Sequence, residues 1–344
     1  MKNFLLILSL LIASDLVTAQ AIIKNNNATK ERVFINDTLL KVGSFFLSDY
    51  ELYRAPIFQI DISSDKLFAY DYSQKNLFRL DLVDYKINGY ESIGNGLGSG
   101  PGEFRNPTDI CVLSSTESNK VIIIDADLSR VSIWDVNSEE FTKSFKTKKI
   151  VPFRVACSDE KIIVYNSNGS KFGDYHIYDK EGNFLGGMNQ GETPKDAFLD
   201  SGYIVSEKEK LYFTSEGRSE IKKYDLEKLN LIYEQSLVDA QEDPNTLSRE
   251  KNEESISIKR SKSFKYNSRG IGIVDNFLVV LFSGRKDAHG KIVDFYDKSN
   301  LNYMFSVLVD QFASGMSVRD GLIILDSYNF DKKERELILF KLKE

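Results

Sequence analysis

The chain is poor in the residues that catalytic and metal sites most often use. Its 344 residues include only two histidines and two cysteines. Tryptophan and proline are also scarce, with one and six residues. Because His176 and His289 are far apart in sequence, a histidine-based metal site is not expected. The sequence contains no Gly-x-Ser-x-Gly nucleophile elbow. These absences favour a binding protein without a cofactor over an enzyme.

The charged residues exclude one class of partner. The 45 basic and 51 acidic residues are spread evenly and give a net charge of −6. Nucleic acid is therefore not an expected partner, because its binding needs a basic face. The 17 tyrosines and 23 phenylalanines favour β-strands. The composition indicates a β-rich protein.

The N-terminus has the features of an export signal. Lys2 supplies the positive start, Phe4–Ile12 the apolar core and Val17–Ala19 the small-residue cleavage pattern. We therefore expect a signal peptide at residues 1–19. The apolar run is too short to span a bilayer, and no cysteine lies near the cleavage point to carry a lipid. The expected product is a secreted or periplasmic monomer in which residues 20–344 form a single domain.

A sequence unit recurs six times, at the spacing of roughly 40 to 50 residues that is typical of a four-stranded blade. The second apolar run of each unit is nearly continuous, which is the pattern of a strand buried on both faces. These second runs are Lys66–Asp71, Lys120–Asp125, Lys161–Asn166, Lys210–Thr214, Phe277–Phe282 and Gly321–Asp326. Six such units predict an all-β fold, a six-bladed β-propeller with four-stranded blades.

A third run follows in each unit, and all but the last of these runs end in aspartate. They are Leu77–Asp81, Val131–Asp135, Tyr175–Asp179, Ile221–Asp225, Val293–Asp297 and Leu337–Lys341. The closing aspartate is expected to accept hydrogen bonds from the amides that follow it and to set the hairpin to the outer strand. A WD-type propeller is not indicated, because Trp134-Asp135 occurs once and has no Gly-His partner.

The two ends of the chain predict how the ring closes. The last unit stops after its third run, and an unassigned extended stretch, Val33–Val42, precedes the first unit. An open ring would leave long unpaired strand edges. We therefore expect the N-terminal strand to be the outer strand of the last blade. The alternative, a pair of β-sandwiches, would rarely show regular repeats of this length.

The stretch Gly94–Pro107 contains five alternating glycines, which allow the backbone to reach positive φ repeatedly. Phe104 is expected to fill the apolar space beside this stretch. A phosphate-binding loop would need a helix after it, whereas the segment after Pro107 is extended. The stretch is therefore predicted to connect two blades.

Residues Gly96–Phe104 closely match the Gly-x-Gly-x-Gly-Pro-Gly-Glu-Phe stretch of one propeller family. The chain resembles the NHL-like bacterial secreted six-bladed β-propellers, over nearly the whole mature chain in repeat pattern and specifically at this loop. The resemblance implies an exported scaffold whose partner is a protein, peptide or glycan. It implies no catalytic residue.

A charged insert occupies about residues 239–266. Asp243-Pro244 is typical of a helix start, and the polar run Leu247–Glu254 follows it, so a short surface helix is expected. Both a lid over the ring and a plain surface loop fit this composition.

Cys111 and Cys157 fall in runs assigned to the innermost strands of neighbouring blades. A disulfide requires Cα atoms within ~7 Å. Because such strands are expected to diverge, two buried free thiols are favoured over a disulfide.

Three arginines, Arg54, Arg105 and Arg154, lie at matching positions where the first three blades begin, with Glu103 and Asp109 near the second. A guanidinium suits carboxylate or phosphate, so these five residues are the predicted ligand site at the channel mouth. The alternative is that each arginine pairs with an acidic residue of a neighbouring blade and ties the ring together.

The alternative function is that of the calcium-dependent lactonases and arylesterases that also occur among six-bladed propellers. Calcium takes six to eight oxygen ligands. Glu103, Asp109, Asn166 and Asp326 are the candidate donors, but Asn166 and Asp326 end second runs and are expected to face turns. The favoured interpretation therefore has no metal ligand.

Overall fold

The structure is a computed structural model of the chain. It describes residues 23–25, 27, 30–36, 38–52, 57–61, 65–113, 119–148, 150–158, 160–166, 173–189, 199–238, 247–251, 256–260, 266–282, 290–319 and 321–343. The predicted signal peptide and Arg54 lie outside the described residues. Among those described, no helix is long and apolar enough to cross a membrane.

The described chain is almost entirely β-structure and forms a six-bladed propeller. Strands β1 (Ile23–Asn25) and β2 (Leu39–Phe46) and one 3-10 turn (Leu47–Tyr50) come first. Blade 1 contains β3 (Ile57–Asp61), β4 (Lys66–Asp71), β5 (Asn76–Val83) and β6 (Lys86–Ser92). Blade 2 contains β7 (Pro107–Leu113), β8 (Lys120–Asp125), β9 (Arg130–Asp135) and β10 (Phe141–Lys146). Blade 3 contains β11 (Arg154–Ser158), β12 (Lys161–Tyr165), β13 (Tyr175–Asp179) and β14 (Phe184–Met188).

The second half of the chain continues in the same order. Blade 4 contains β15 (Gly202–Glu207), β16 (Lys210–Ser215), β17 (Glu220–Asp225) and β18 (Asn230–Ser236). A hairpin of β19 (Leu247–Lys251) and β20 (Ile256–Arg260) follows. Blade 5 contains β21 (Ser268–Val274), β22 (Phe277–Phe282), β23 (Ile292–Asp297) and β24 (Tyr303–Leu308). Blade 6 contains β25 (Ala313–Arg319), β26 (Leu322–Asn329), β27 (Glu334–Leu342) and, as its outer strand, β2.

The blades close into a ring through their innermost strands. Each of β3, β7, β11, β15, β21 and β25 contacts the next, and β25 of blade 6 contacts β3 of blade 1. Six buried apolar clusters hold the ring together, one between each pair of neighbouring blades. Every blade thus buries both faces, which explains why the predicted second runs are nearly continuous in apolar residues.

Four of the five aspartates expected to close the third strands accept amides that follow them, as predicted. Asp81 is the exception, because β5 continues past it to Val83 and pairs it with Gly89 of β6. Oδ1 of Asp135 accepts the amides of Asn137 and Ser138 at 2.8 and 2.9 Å. Asp225 and Asp297 do the same for the amides that follow them. Because these hydrogen bonds stabilise the charged carboxylate, they help to lower the pKa values of Asp225 and Asp297.

The ring closes through the N-terminal strand, as the sequence predicts, but the strand lies further along the chain. The closing strand is β2, residues 39–46, which pairs antiparallel with β27. Residues 33–35 lie instead along β24 of blade 5, where the amide of Ile35 bonds to Ser306 O at 3.0 Å and the amide of Ser306 to Val33 O at 2.8 Å. Further upstream, β1 pairs parallel with β18 of blade 4.

We call the stretch from residue 23 to residue 46 the N-terminal tether, because it fastens blades 4, 5 and 6 in turn. Asn27 is fully buried between two of them. Its Nδ2 donates to Gln235 Oε1 of blade 4 at 2.8 Å and to Leu301 O of blade 5 at 3.0 Å, and its Oδ1 accepts the amide of Tyr303 at 3.2 Å.

Two expectations are wrong. Cys111 and Cys157 form a disulfide with a Cα to Cα distance of 5.8 Å, rather than two free thiols, because neighbouring innermost strands converge on the channel instead of diverging. The described part of the insert forms the β19–β20 hairpin rather than a helix. The expected helix start, Asp243-Pro244, lies outside the described residues, whereas the start of the polar run that follows it forms β19. The alternation Ser255-Ile256-Ser257-Ile258 has the period of a strand.

Candidate functional site

The central channel holds a cavity of about 550 Å³ lined by residues of all six innermost strands. At one end these strands begin, with Asp109, Arg154 and Tyr203 on the wall. At the other end Arg319 reaches from blade 6 past blade 1, and its Nη1 donates to Val112 O of blade 2 at 2.7 Å. A side chain thus reaches across blade 1 near the end of the channel at which the strands finish.

Arg154, at the start of β11, connects three blades. Its Nε donates to Gly202 O of blade 4 at 3.2 Å, and its Nη1 donates to Thr108 O of blade 2 at 3.3 Å. Its Nη2 forms an ion pair with Glu216 Oε1 of blade 4 at 3.5 Å. Burial acts to lower the pKa of Arg154, but Tyr203, Asp109 and Glu216 outweigh it and raise that pKa. The guanidinium therefore stays charged.

Asp109 lies beside Arg154 and links blades 2 and 3. Its Oδ2 accepts the amide of Val155 at 2.9 Å. Burial raises the pKa of its carboxyl to about 6, although Arg154 and two backbone amides oppose this rise. The Cys111–Cys157 disulfide joins the same two strands two residues further along. Asp109 and Arg154 are thus placed by strands that a covalent bond holds together.

Aromatic rings accompany the arginines at this end of the channel. The guanidinium carbon of Arg154 lies 4.4 Å from the ring centroid of Phe153 and 4.6 Å from that of Tyr203. Arg269, the second residue of β21, lies 5.0 Å from the ring of Tyr266 and 5.7 Å from that of Phe312. Attraction between a guanidinium and a ring face restrains both side chains.

We call this end of the channel the arginine mouth. It is defined by Asp109, Arg154, Tyr203, Glu216 and Arg269. Burial and the neighbouring Glu216 raise the pKa of Tyr203, so its hydroxyl stays protonated. Glu216 accepts a hydrogen bond from Ser201 Oγ at 3.0 Å through the oxygen that does not face Arg154.

The structure places the predicted site residues in different surroundings. It brings Asp109 and Arg154 together at the arginine mouth. Arg105 is exposed two residues before β7, and its backbone amide bonds to Asp125 Oδ2 at 2.7 Å. Glu103 turns back into its own loop, where Oε2 accepts the amide of Gly100 at 2.6 Å. Arg54 lies outside the described residues.

The buried side chain of Arg130 anchors the glycine-rich loop that carries Glu103 and Arg105. Nη1 of the buried Arg130 donates to Ser99 O and Gly100 O, both at 3.0 Å, and its Nη2 donates to Glu103 O. Phe104 is fully buried, with its ring centroid 5.4 Å from that of Tyr70 and 6.2 Å from that of Trp134. The expectation that Phe104 fills an apolar space between two blades is confirmed.

The four candidate calcium donors are engaged separately. Glu103 and Asp109 bond to the amides of Gly100 and Val155, while Asp326 forms an ion pair with Arg335 and accepts Ser314 Oγ at 2.8 Å. Asn166 is buried in blade 3, and its backbone N–H donates to Asp174 O at 2.8 Å. Within the described ranges, no three His, Cys, Asp or Glu residues are grouped as metal ligands.

Sequence reasoning missed Tyr203, Glu216 and Arg269. Tyr203 and Arg269 are the second residues of β15 and β21, close to the strand positions that Asp109 and Arg154 hold in β7 and β11. Glu216 follows β16 in a loop, and no local sequence signal marks it. The ligand site extends over more blades than the arginine pattern indicates.

Among the comparisons with known proteins, only the comparison with solved structures gives matches, and these support the propeller fold. No family model and no curated protein matches the chain. The chain is similar to the solved structure of a Bacteroides fragilis protein described as exported, with 12% identity, 94% of this chain and 100% of that chain covered, and a TM-score of 0.58. It is also similar to the WD40 repeats of RRP9, with 7% identity, 91% and 99% covered, and a TM-score of 0.51. The class that fold and comparisons define is the six-bladed β-propeller.

Proposed function

We propose that the protein is an exported, non-catalytic binding propeller that recognises a protein, peptide or glycan partner at the arginine mouth. The observation that carries this proposal is the pairing of Arg154 and Arg269 with aromatic rings at the end of the channel where the innermost strands begin, next to the 550 Å³ cavity. Arginine and tyrosine are the residues most often found at the energetic centres of binding interfaces.

The rigidity of the arginine mouth supports a binding role. All of its residues except Glu216 lie near the starts of innermost strands, and the Cys111–Cys157 disulfide joins two of those strands. A site that is already ordered loses little conformational entropy when a partner binds. Arg105, which is exposed two residues before β7, would extend the contact surface under this proposal.

Export of the protein belongs to the same proposal. The features of residues 1–19 support a cleaved signal peptide, and a disulfide is typical of proteins in oxidising compartments. The NHL-like resemblance at Gly96–Phe104 supports the same placement. Mass spectrometry of the secreted or periplasmic protein tests it, with an N-terminus at Gln20 as the expected result.

The test of the binding function uses arrays of glycans and peptides together with one pair of variants. Tyr203→Ala removes a ring of the arginine mouth, whereas Tyr90→Ala removes an exposed ring from the outer strand of blade 1 and serves as the control. A partner of the mouth should lose roughly tenfold or more in affinity with Tyr203→Ala, the effect of losing a central contact. Equal affinities for the two variants would contradict the proposal.

The calcium-dependent hydrolase remains the alternative, and the same preparation tests it. A panel of lactones, esters and phosphoesters is assayed with Ca²⁺ and with a chelator. Chelator-sensitive turnover that is lost in Asp109→Asn or Glu103→Gln would overturn the binding proposal in favour of catalysis.

A further inference from the structure

We propose that the arginine mouth binds a carboxylate of an acidic peptide segment, which takes the position that Glu216 now holds beside Arg154. This inference rests on the proposed function, because it names the ligand chemistry of the same site.

The guanidinium of Arg154 is held by bonds that a ligand can exchange. Its three bonds, to Gly202 O, Thr108 O and Glu216 Oε1, measure 3.2, 3.3 and 3.5 Å. These lengths are at or beyond the long end of the usual range for N–H···O bonds. Each terminal nitrogen of a guanidinium carries a pair of N–H donors, and Arg154 uses one donor of each pair in these bonds. One donor on each terminal nitrogen is therefore left for a ligand. Two N–H groups of one guanidinium match the two oxygens of a carboxylate.

Glu216 shows that the space beside Arg154 accepts a carboxylate. The pair is only partly covered, with 15% of the Arg154 side chain and 16% of the Glu216 side chain exposed. Glu216 also has a second anchor, because its other oxygen accepts Ser201 Oγ at 3.0 Å. It can therefore release Arg154 without losing all of its hydrogen bonds. An incoming carboxylate forms the same kind of ion pair with Arg154, while Glu216 keeps its bond to Ser201.

The aromatic rings favour a peptide over a glycan. Phe153 and Tyr203 each turn a face to the guanidinium of Arg154, and Tyr266 turns a face to that of Arg269. A sugar ring would stack on an aromatic face, and a guanidinium already occupies one face of each of these rings. The edge of the Arg154 guanidinium that carries its terminal nitrogens suits a planar carboxylate.

Asp109 adds a dependence on pH. The groups that face it are Arg154 from blade 3 and Tyr72 from blade 1, together with the amide of Val155. Burial raises the pKa of Asp109 to about 6, so acidification removes a negative charge beside Arg154. Glutamates of a peptide titrate near pH ~4.3 and stay charged in this range. An acidic peptide is therefore expected to bind more tightly at pH 5.5 than at pH 7.5.

The experiment measures fluorescence anisotropy with three labelled peptides of equal length, in which glycine alternates with glutamate, glutamine or lysine. The proteins are the parent, Arg154→Lys, Glu216→Gln, Asp109→Asn and the charge control Lys86→Ala, which removes an exposed lysine from the rim of blade 1. Circular dichroism confirms that each variant is folded. Arg154→Lys keeps the charge but lacks the planar fork, so it tests geometry rather than net charge.

The expected result is that the glutamate peptide binds about tenfold or more tightly than the glutamine peptide, as for a charge-assisted bond. Glu216→Gln should tighten the binding of the glutamate peptide several-fold, and Arg154→Lys should weaken it several-fold. Asp109→Asn should abolish the pH dependence of binding. The control Lys86→Ala should leave binding unchanged.

Other outcomes separate this inference from the proposed function. If the glutamine or lysine peptide binds better and responds to Arg154→Lys, the acidic ligand is wrong and the site stands. If only an oligosaccharide of uronic acids binds and responds to the same variant, the partner is a glycan and the peptide is wrong. If the glutamate peptide binds every variant equally, both the inference and the site fail. If it binds none of the proteins, the inference fails.

Discussion

Arg32 of the N-terminal tether forms a buried ion pair with Asp294 in the third strand of blade 5. Nε and Nη2 of Arg32 donate to the two carboxylate oxygens at 3.1 and 3.0 Å, and the two side chains are 3% and 0% exposed. Nη2 also donates to Val238 O, after the last strand of blade 4, at 3.2 Å. The tether therefore inserts a charged side chain between two blades.

The first prediction is that Arg32→Ala strongly destabilises the ring. Removing one partner of a buried ion pair leaves an uncompensated charge, here that of Asp294, at a cost of about 3–5 kcal/mol. Urea unfolding should show this loss, while Lys30→Ala, which removes an exposed cation from the same tether, should cost less than about 0.5 kcal/mol. Equal unfolding midpoints for the two variants would show that the tether does not fasten blades 4 and 5.

The second prediction concerns the disulfide between the innermost strands of blades 2 and 3. Its sequence separation of 46 residues corresponds to a stabilisation of about 2–4 kcal/mol. The double variant Cys111→Ser, Cys157→Ser should unfold at lower denaturant by this amount and should bind any ligand of the arginine mouth more weakly. A reductant should lower the midpoint of the parent and leave the double variant unchanged, which controls for other effects of the reagent.

A third prediction follows from the raised pKa of Asp109. The folded protein holds a proton on this carboxyl up to about pH 6, whereas the unfolded chain releases it near pH 3.8. The contribution of Asp109 to stability is therefore highest below pH 3.8 and falls as the pH rises to about 6. The loss is on the order of 1–2 kcal/mol, because Asp109 is partly exposed.

The matched variant for this prediction is Asp109→Asn, which keeps an oxygen to accept the amide of Val155 and cannot ionise. The difference in unfolding free energy between parent and variant should change between pH 4 and pH 6.5, with the parent losing stability. A constant difference would show that Asp109 titrates normally in the folded state.

A fourth prediction concerns Arg105, which is exposed two residues before β7. Arg105→Ala should weaken partner binding more than it lowers the melting temperature, because the backbone amide, and not the side chain, bonds to Asp125. The effect on binding should shrink at high salt, as expected for an exposed charge. A lowered melting temperature with intact binding would assign Arg105 to the stability of the ring.

The propeller could be predicted from the sequence because both faces of every blade are buried. This burial forces continuous apolar runs such as Lys120–Asp125, which is β8 in the structure, and it makes the repeat visible. Aspartates such as Asp135 could also be predicted to set turns, because they bond to amides only two and three residues further along the chain. The closing strand was predicted from the missing fourth strand of blade 6.

The remaining features depend on distances between residues that are remote in sequence. The contact of Arg154 with Glu216 spans 62 positions and that of Arg32 with Asp294 spans 262, and no local pattern encodes either one. The disulfide was missed because the spacing of innermost strands near the channel axis follows from ring geometry rather than from sequence. The site was accordingly predicted in part, with Asp109 and Arg154 found and Tyr203, Glu216 and Arg269 missed.

The most direct test of binding at the arginine mouth is hydrogen exchange of the whole protein with and without a saturating amount of the tightest ligand from the arrays. The account predicts slower exchange in segments 105–109, 153–155, 202–204 and 266–269, where the innermost strands begin. The outer strands β6, β10 and β14 serve as internal controls and should not change. Protection confined to those outer strands, or to the far end of the channel near Arg319, would contradict the account.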